Sequence, residues 1–385
     1  MSKRLIYADH AATTPLSKTA LEAMLPFLQG EFGNPSSLHA WSRVPKKAVA
    51  EARATIAECI NATPEEIFFT SGGTEADNWV IKGSTGGLMV SSYEHHAILN
   101  AAASEAANGR LVTYAKPKMG GYVTPDKITE AWQDGIKLVS IMAANNEIGS
   151  LNTLEWLSEH IHRKGALFHT DAVQAVGHVS LDVKDAGVDF LSASAHKFNG
   201  PRGIGFLFKR KDLELKPLLN GGQQEFGIRA GTENVAAIVG MAAALKENCD
   251  NLDANEEYLN KLRGKLMLGL FEMIPDVHFP GSEMNCQLPG FLSVTIPGQS
   301  AEGLIHILDL KGIAVSAGAA CDSKNTQISH VLKAIHLPSK LAMCTIRISL
   351  GIENTVDDVD CILSAIKSVV KRNSKEVHNV LSAES

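Results

Sequence analysis

At 385 residues, with 45% apolar and 20% charged residues and a mean hydropathy near zero, the chain can bury one large core and a smaller one, and it is neither disordered nor fibrous in composition. A net charge of -6 argues against a nucleic-acid partner, and the most apolar stretch, Val235 to Leu245, is about half of the ~20 residues that a bilayer span needs. Six cysteines, at 59, 249, 286, 321, 344 and 361, contain no C-x-x-C pair, which excludes a disulfide framework and a zinc site while leaving room for a working thiol.

In chain order, Met1 to Arg4 lead into a short strand-like run rather than a signal segment, so a cytoplasmic protein with no membrane partner is expected. Short apolar runs then recur between helical stretches: Ile67–Thr70, Leu88–Val90, Leu111–Tyr114, Leu138–Ala143, Ala166–Thr170, Phe190–Ala193 and Ile204–Phe208. Seven such strands alternating with helices predict an α/β fold built on a mostly parallel sheet, with ligands gathered at the C-terminal strand ends. From about Asn251 the pattern changes. An amphipathic helix, the strand Phe291–Ile296, a helix from Gly303 to Lys311, the run Gly312–Val315, a small-residue segment around Cys321, the strand Thr345–Leu350 and a last helix after Asp357 read as a second, α+β domain. The polar stretch from Arg372 to Ser385 is expected to fray.

The chemistry-bearing residues fall in the loops after these strands. Lys197, in Ser194-Ala195-His196-Lys197, follows the sixth strand, and Asp171, in His169-Thr170-Asp171, ends the fifth. A lysine there can form a Schiff base with the aldehyde of pyridoxal phosphate, and a carboxylate on a neighbouring strand can hold the pyridinium nitrogen protonated. Taken singly, the two would be a solvated lysine and a capping aspartate. Ser71-Gly72-Gly73-Thr74 turns a strand into a helix, where free N–H groups at the helix start would receive a phosphate, or where Ser71 would be a plain cap. His95 could stack on a planar ring or shuttle a proton, Ser194 and His196 could donate to the phosphate, and Gln174 and Asn146 could reach the ring edge. Cys321 lies in a run of small residues suited to a mobile loop, where a thiol beside a cationic site becomes a nucleophile. Arg347, on an apolar strand, needs a partner; an amino-acid carboxylate and a structural ion pair are both open. The His160/His162 pair and the other five cysteines read as structural.

Taken together these residues resemble the pyridoxal phosphate-dependent cysteine desulfurases of the nitrogen-fixation and iron–sulfur-assembly type, within the class V aminotransferases. The resemblance spans nearly the whole chain, through Tyr7–Thr14, Gly33–His39, Thr70–Asn78, Glu94–Ala97, Asn145–Gly149, His169–Gly177, Ser194–Gly205, Arg229–Val235, Ser316–Cys321 and Arg347–Gly351. It implies the aspartate aminotransferase-like fold (fold type I), with a large domain over 15–255 and a small one made of 1–14 and 256–385. It implies Lys197 as the Schiff-base lysine, Asp171 as the pyridinium partner, His95 as stacking residue and proton shuttle, and Gly73, Thr74, Ser194 and His196 as the phosphate cradle. Asn146 and Gln174 would contact the ring, Arg347 would hold the carboxylate of L-cysteine, and Asn146 would lie beside the substrate. Thr232 would reach the phosphate of the neighbouring subunit, which implies a homodimer. Cys321 would accept the sulfur and pass it to an acceptor protein, and its persulfide could also ligate a [2Fe–2S] cluster under assembly. One departure stands out: Asp322 follows Cys321 where the family more often has serine or threonine, and a carboxylate there tends to raise the thiol pKa. No scaffold-binding signature is visible in the tail, so thiolation of tRNA or of a cofactor stands beside cluster assembly as a destination for the sulfur. A selenocysteine lyase or cystine C–S lyase on the same scaffold, less dependent on Cys321, is the alternative activity; a phosphoserine aminotransferase or a non-catalytic interaction protein fits the retained residues less well.

Overall fold

The computed structural model describes residues 4–282, 286–317 and 328–383, the stretch 371–383 as helical backbone only. Cys321 and Asp322 lie outside the described residues. The chain runs through β1 (Ile6–Tyr7), α1 (Lys18–Gln29), α2 (Arg43–Cys59), β2 (Ile67–Thr70), α3 (Gly73–Gly83), β3 (Gly87–Ser91), α4 (His96–Ala107), β4 (Val112–Ala115), α5 (Pro125–Ala131), β5 (Ile136–Ser140), α6 (Leu154–Arg163), β6 (Leu167–Asp171), β7 (Phe190–Ser194) and β8 (Gly205–Lys209). It continues through α7 (Val235–Asp250), α8 (Leu252–Met273), β9 (Phe291–Thr295), α9 (Ala301–Leu310), β10 (Ile313–Ala314), β11 (Ser316–Ala317), α10 (His330–Ala334), α11 (Ser339–Ala342), β12 (Thr345–Ser349) and α12 (Val356–Ala383).

The seven expected strands make one sheet in the order β2-β8-β7-β6-β5-β3-β4. Every pairing is parallel except the two made by β8, which runs antiparallel to both β2 and β7. Strands β2, β3, β7 and β8 are buried along their whole length because helices cover both faces, which is why they read as continuous apolar runs rather than alternating ones. Since β2, β3, β5, β6 and β7 point the same way, the loops that follow them emerge on one edge.

Strand β5 ends at Ser140, earlier than the apolar run Leu138–Ala143 suggests. There the backbone leaves β3, and the Met142 N–H donates to the buried Glu94 carboxylate at 2.9 Å. A second apolar cluster joins Ile6 and Ala8 to Leu262, Leu266, Val294, Leu308, Ile346 and Ile366, around the antiparallel sheet β11-β12-β9 and the parallel pair β1-β10. Val331 and Leu332 of α10 pack instead with the cluster under the large sheet. Helix α12 runs on to Ala383, past the point where fraying is expected; residues 372–383 contain neither glycine nor proline to stop it. Among the described residues no helix is long and apolar enough to cross a membrane.

Candidate active site

The five loops at the sheet edge bring most of the expected residues together. Gly72 caps α3 with φ 148°, a conformation side-chain-bearing residues rarely adopt, and so turns β2 directly into the helix. A Cβ on Gly73 would lie 2.5 Å from Val173 Cγ2, and one on Gly72 would lie 3.4 Å from Ser194 Oγ. The bare helix start therefore packs closely against the loop after β6, through Val173, and the end of β7, through Ser194, a fit that only glycine allows at 73. Glu75, in the first turn of α3, accepts from the Ser71 N–H at 2.7 Å and from Arg229 Nε and Nη2 at 2.8 and 3.0 Å. That bidentate pair ties the 229–232 segment, with its exposed Thr232, to the same helix start.

Asp171 ends β6 almost wholly buried, one carboxylate oxygen accepting from the Val173 N–H at 2.9 Å. Burial pushes its pKa up, while His95, Lys197 and the Val173 N–H pull it down. His95 caps α4, its Nδ1 accepting from the Ala97 N–H at 3.2 Å. Loss of water on its inner side holds the imidazole below its usual pKa, and hence neutral near pH 7.

Lys197 follows β7 in a single helical turn whose backbone is gripped on both sides: His178 Nε2 lies 2.7 Å from the Lys197 carbonyl, and the Thr14 N–H donates to the His196 carbonyl at 2.9 Å. Its Nζ donates to the carbonyls of Ala11 and Ala12 at 2.5 and 2.9 Å. Burial, helped by the Arg347 charge, lowers its pKa to about 8, which brings the free amine within reach of physiological pH. The segment 9–14 thus lies against the lysine. Gln174, expected at the ring edge, donates its Nε2 to the Ala11 carbonyl at 2.9 Å. His196, expected as a phosphate donor, turns Nδ1 to Thr13 Oγ1 at 3.2 Å, and burial holds its pKa near 4, so it is neutral.

The structure shows the ion pair expected as one reading of Arg347. Its Nη2 pairs with Asp9 at 2.7 Å and its Nη1 donates to the Asn146 carbonyl at 2.7 Å, while the buried Nε has no partner. Asp9 also accepts from Ser316 Oγ at 2.8 Å, in the strand that leads towards Cys321. From the far side of that segment, Ser329 bonds to Glu147 and His330 Nε2 meets the Glu94 carbonyl at 2.9 Å.

Comparison with known proteins matches the class-V aminotransferase family model over residues 6–362. The cysteine desulfurase IscS of Clostridium botulinum (strain Hall) is 43% identical over 375 residues, covering 95% of this chain and 94% of that protein. The chain belongs to the class-V aminotransferase family, among its cysteine desulfurases. The IscS of Methanosarcina thermophila is 41% identical, covering 96% of this chain and 93% of its own. A solved NifS-like protein superposes with TM-score 0.89 at 33% identity, covering 96% of this chain and all of that one.

The family's cofactor is pyridoxal 5'-phosphate, and the donor set fits it. A bare glycine helix start faces Ser194, a buried carboxylate stands on a neighbouring strand, and a lysine of lowered pKa follows the next strand. Sequence reasoning assigned no role to Glu94, Asp9 or Asp77. Glu94 is fully buried, accepts from Ser91 Oγ and the Met142 N–H, and has its pKa pushed up to about 8 by burial. Its signal was an acid directly before His95 at the end of an all-buried strand; that of Asp77 was its place one helical turn after Gly73, on the face turned to the site.

Proposed function

We propose that this chain converts L-cysteine to L-alanine and moves the sulfur, as a persulfide on Cys321, to an acceptor protein for iron–sulfur cluster assembly or thio-modification. The observation that carries the reading is Arg347, whose buried Nε is unpartnered at a site that already holds Lys197 and Asp171. A site for an amino acid needs such a fork of donors for the α-carboxylate. A solved relative, 32% identical with TM-score 0.81, is described as SspA in complex with cysteine, which supports the same substrate class here.

When bound, pyridoxal phosphate supplies an electron sink that makes the substrate α-proton acidic and loosens the bond to its sulfur. This chain's residues do the rest. The α3 N-terminus, Thr74, Ser194 and His196 would take the phosphate, with Thr232 reaching the partner subunit's cradle, and Asp171 would hold the ring nitrogen protonated. Asn146 and Gln174 would line the ring edge, and Arg347 would orient the substrate by its carboxylate. Lys197, its pKa lowered towards neutrality, takes the proton from the substrate α-carbon. Neutral His95 covers the ring and moves a proton at the thiol. The Cys321 thiolate takes the sulfur atom, so that one cysteine and one thiol become one alanine and one persulfide, with no external oxidant. A persulfide there could also ligate a [2Fe–2S] cluster delivered to a scaffold.

We further infer a cytoplasmic homodimer with domains over 15–255 and over 1–14 plus 256–385. The large exposed side chains Leu21, Leu25, Leu28, Phe32, Leu38 and Trp41, clustered on and after α1, support the dimer. The reading is tested by light scattering for mass and by coupled assay of alanine and sulfide from L-cysteine. A Cys321→Ala protein that binds the cofactor normally but releases no sulfide is the expected result; full activity in that variant would favour a C–S lyase.

A further inference from the structure

Behind Asp171 stands a second buried acid that the mechanism above does not use. Asp77, on α3 one turn after Gly73, is 1% exposed, and its Oδ1 has no hydrogen-bond partner. Carboxylate oxygens of Asp77 and Asp171 and a ring nitrogen of His95 lie within 4.8 Å of one another. On the other side, His169 Nε2 is 3.8 Å from Asp77 Oδ1, but this is no ion pair: with its nitrogens against Ser140 Oγ at 2.8 Å and Ser192 Oγ at 3.0 Å, His169 is fully buried and holds its pKa near 3. Two carboxylates so close in a water-excluded pocket cannot both ionise at modest cost, so the pair keeps one proton near neutral pH.

Which acid holds it follows from the surroundings. Asp171 is buried as well, but it lies near the Lys197 charge and accepts the Val173 N–H, both of which favour its charged form. Asp77 has burial and the Asp171 charge acting against ionisation, offset only by the Ser192 hydroxyl, and its pKa stands well above the carboxylate range. We propose that Asp77 is a positioning residue for the reaction: it carries the pair's single proton, and as a neutral donor behind Asp171 it leaves that carboxylate ionised for the cofactor's ring nitrogen. The inference rests on the role given to Asp171 above.

It asks for a neutral polar group at 77, not a charge. In Asp77→Asn holoenzyme, cofactor affinity and the pH midpoint of the lysine-bound cofactor's visible absorbance should stay within about threefold and a few tenths of a pH unit of wild type. Asp77→Leu, which removes the donor and puts an apolar side chain behind Asp171, should weaken cofactor binding by about tenfold or more and move that midpoint. Infrared difference spectra of wild type against D77N holoenzyme read the proton directly and do not require the leucine variant to fold. At neutral pH a protonated-carboxyl C=O stretch, shifted in heavy water, should be present in wild type and missing in D77N. The proposal is overturned if that band is unchanged in D77N, if D77N loses as much affinity as D77L, or if D77L behaves as wild type. Asp171→Asn tests the underlying assignment separately: normal cofactor affinity and spectrum in D171N would remove the role of Asp171 itself, whereas a defective D171N beside an unaffected D77L would remove only that of Asp77.

Discussion

Replacing Arg347 by alanine tests the substrate end of the site quantitatively. The guanidinium is 7% exposed, already committed through Nη2 to Asp9 and through Nη1 to the Asn146 carbonyl, so what remains for an incoming carboxylate is the Nε edge and the second hydrogens of the terminal nitrogens. Charge-assisted hydrogen bonds contribute about 1.5–3 kcal/mol each, so two of the weaker kind amount to about 3 kcal/mol, or roughly a 150-fold loss in kcat/KM for L-cysteine. The assay pairs alanine formation with spectral titration by L-alanine, which has the carboxylate, and by ethylamine, which lacks it. Wild type should prefer L-alanine by about two orders of magnitude and R347A should lose that preference, with ethylamine binding alike in both. Equal weakening towards both ligands would refute the reasoning, because the arginine would then be holding the pocket together through Asp9 and not reading the carboxylate.

Other expectations follow from the same geometry. Lys197 has its pKa lowered to about 8, so between that pH and the unfolded value near 10.5 the unfolded chain binds more protons, and stability from this group rises with pH across that window. Apoenzyme carrying Lys197→Met should therefore melt above wild type at pH 7, with the gap closing as the pH rises towards 10.5. Glu94 shifts the opposite way, to about 8: its contribution is complete below pH ~4.5 and is lost as the pH rises through the folded value, so Glu94→Gln should gain thermal stability relative to wild type steadily from pH 5 to pH 8. Glu225 accepts two bonds of 2.7 Å from Arg53 and one of 2.9 Å from the Phe69 N–H, clamping β2 just before the glycine turn. Glu225→Gln leaves a buried guanidinium without its counter-ion, which costs about 3–5 kcal/mol; for a chain of this length calorimetry should show a fall of about 4–6 °C in Tm, and an unchanged Tm would mean the pair is solvated.

Strand number, sheet class and most of the site loops were legible because parallel strands under two helix layers read as apolar runs, and because the residues that follow them are chemically unusual. What was not legible arises from tertiary contact. The early end of β5 is caused by Glu94 capturing the Met142 N–H across 48 residues of chain, which no local pattern carries. Asp9 emerged as the partner of Arg347 from 338 residues away, and the motif around Tyr7 marked the segment without saying what it touches. Gln174 and His196 lie in the loops where the sequence put them, yet their polar atoms turn to Ala11 and Thr13 of the N-terminal segment. Asp77 was hidden for a different reason: on a helix an acid is ordinarily a solvated residue, and only the packing of α3 onto the sheet edge shows that this one has lost its water.

The most direct test of the whole account is the stoichiometry of alanine and sulfide released from L-cysteine in the presence of a reducing thiol, measured on wild type and on Cys321→Ala with the cofactor spectrum of each recorded. The account predicts equal amounts of the two products from wild type, and from the variant an intact cofactor spectrum with no sulfide. Undiminished sulfide release from the variant would contradict it.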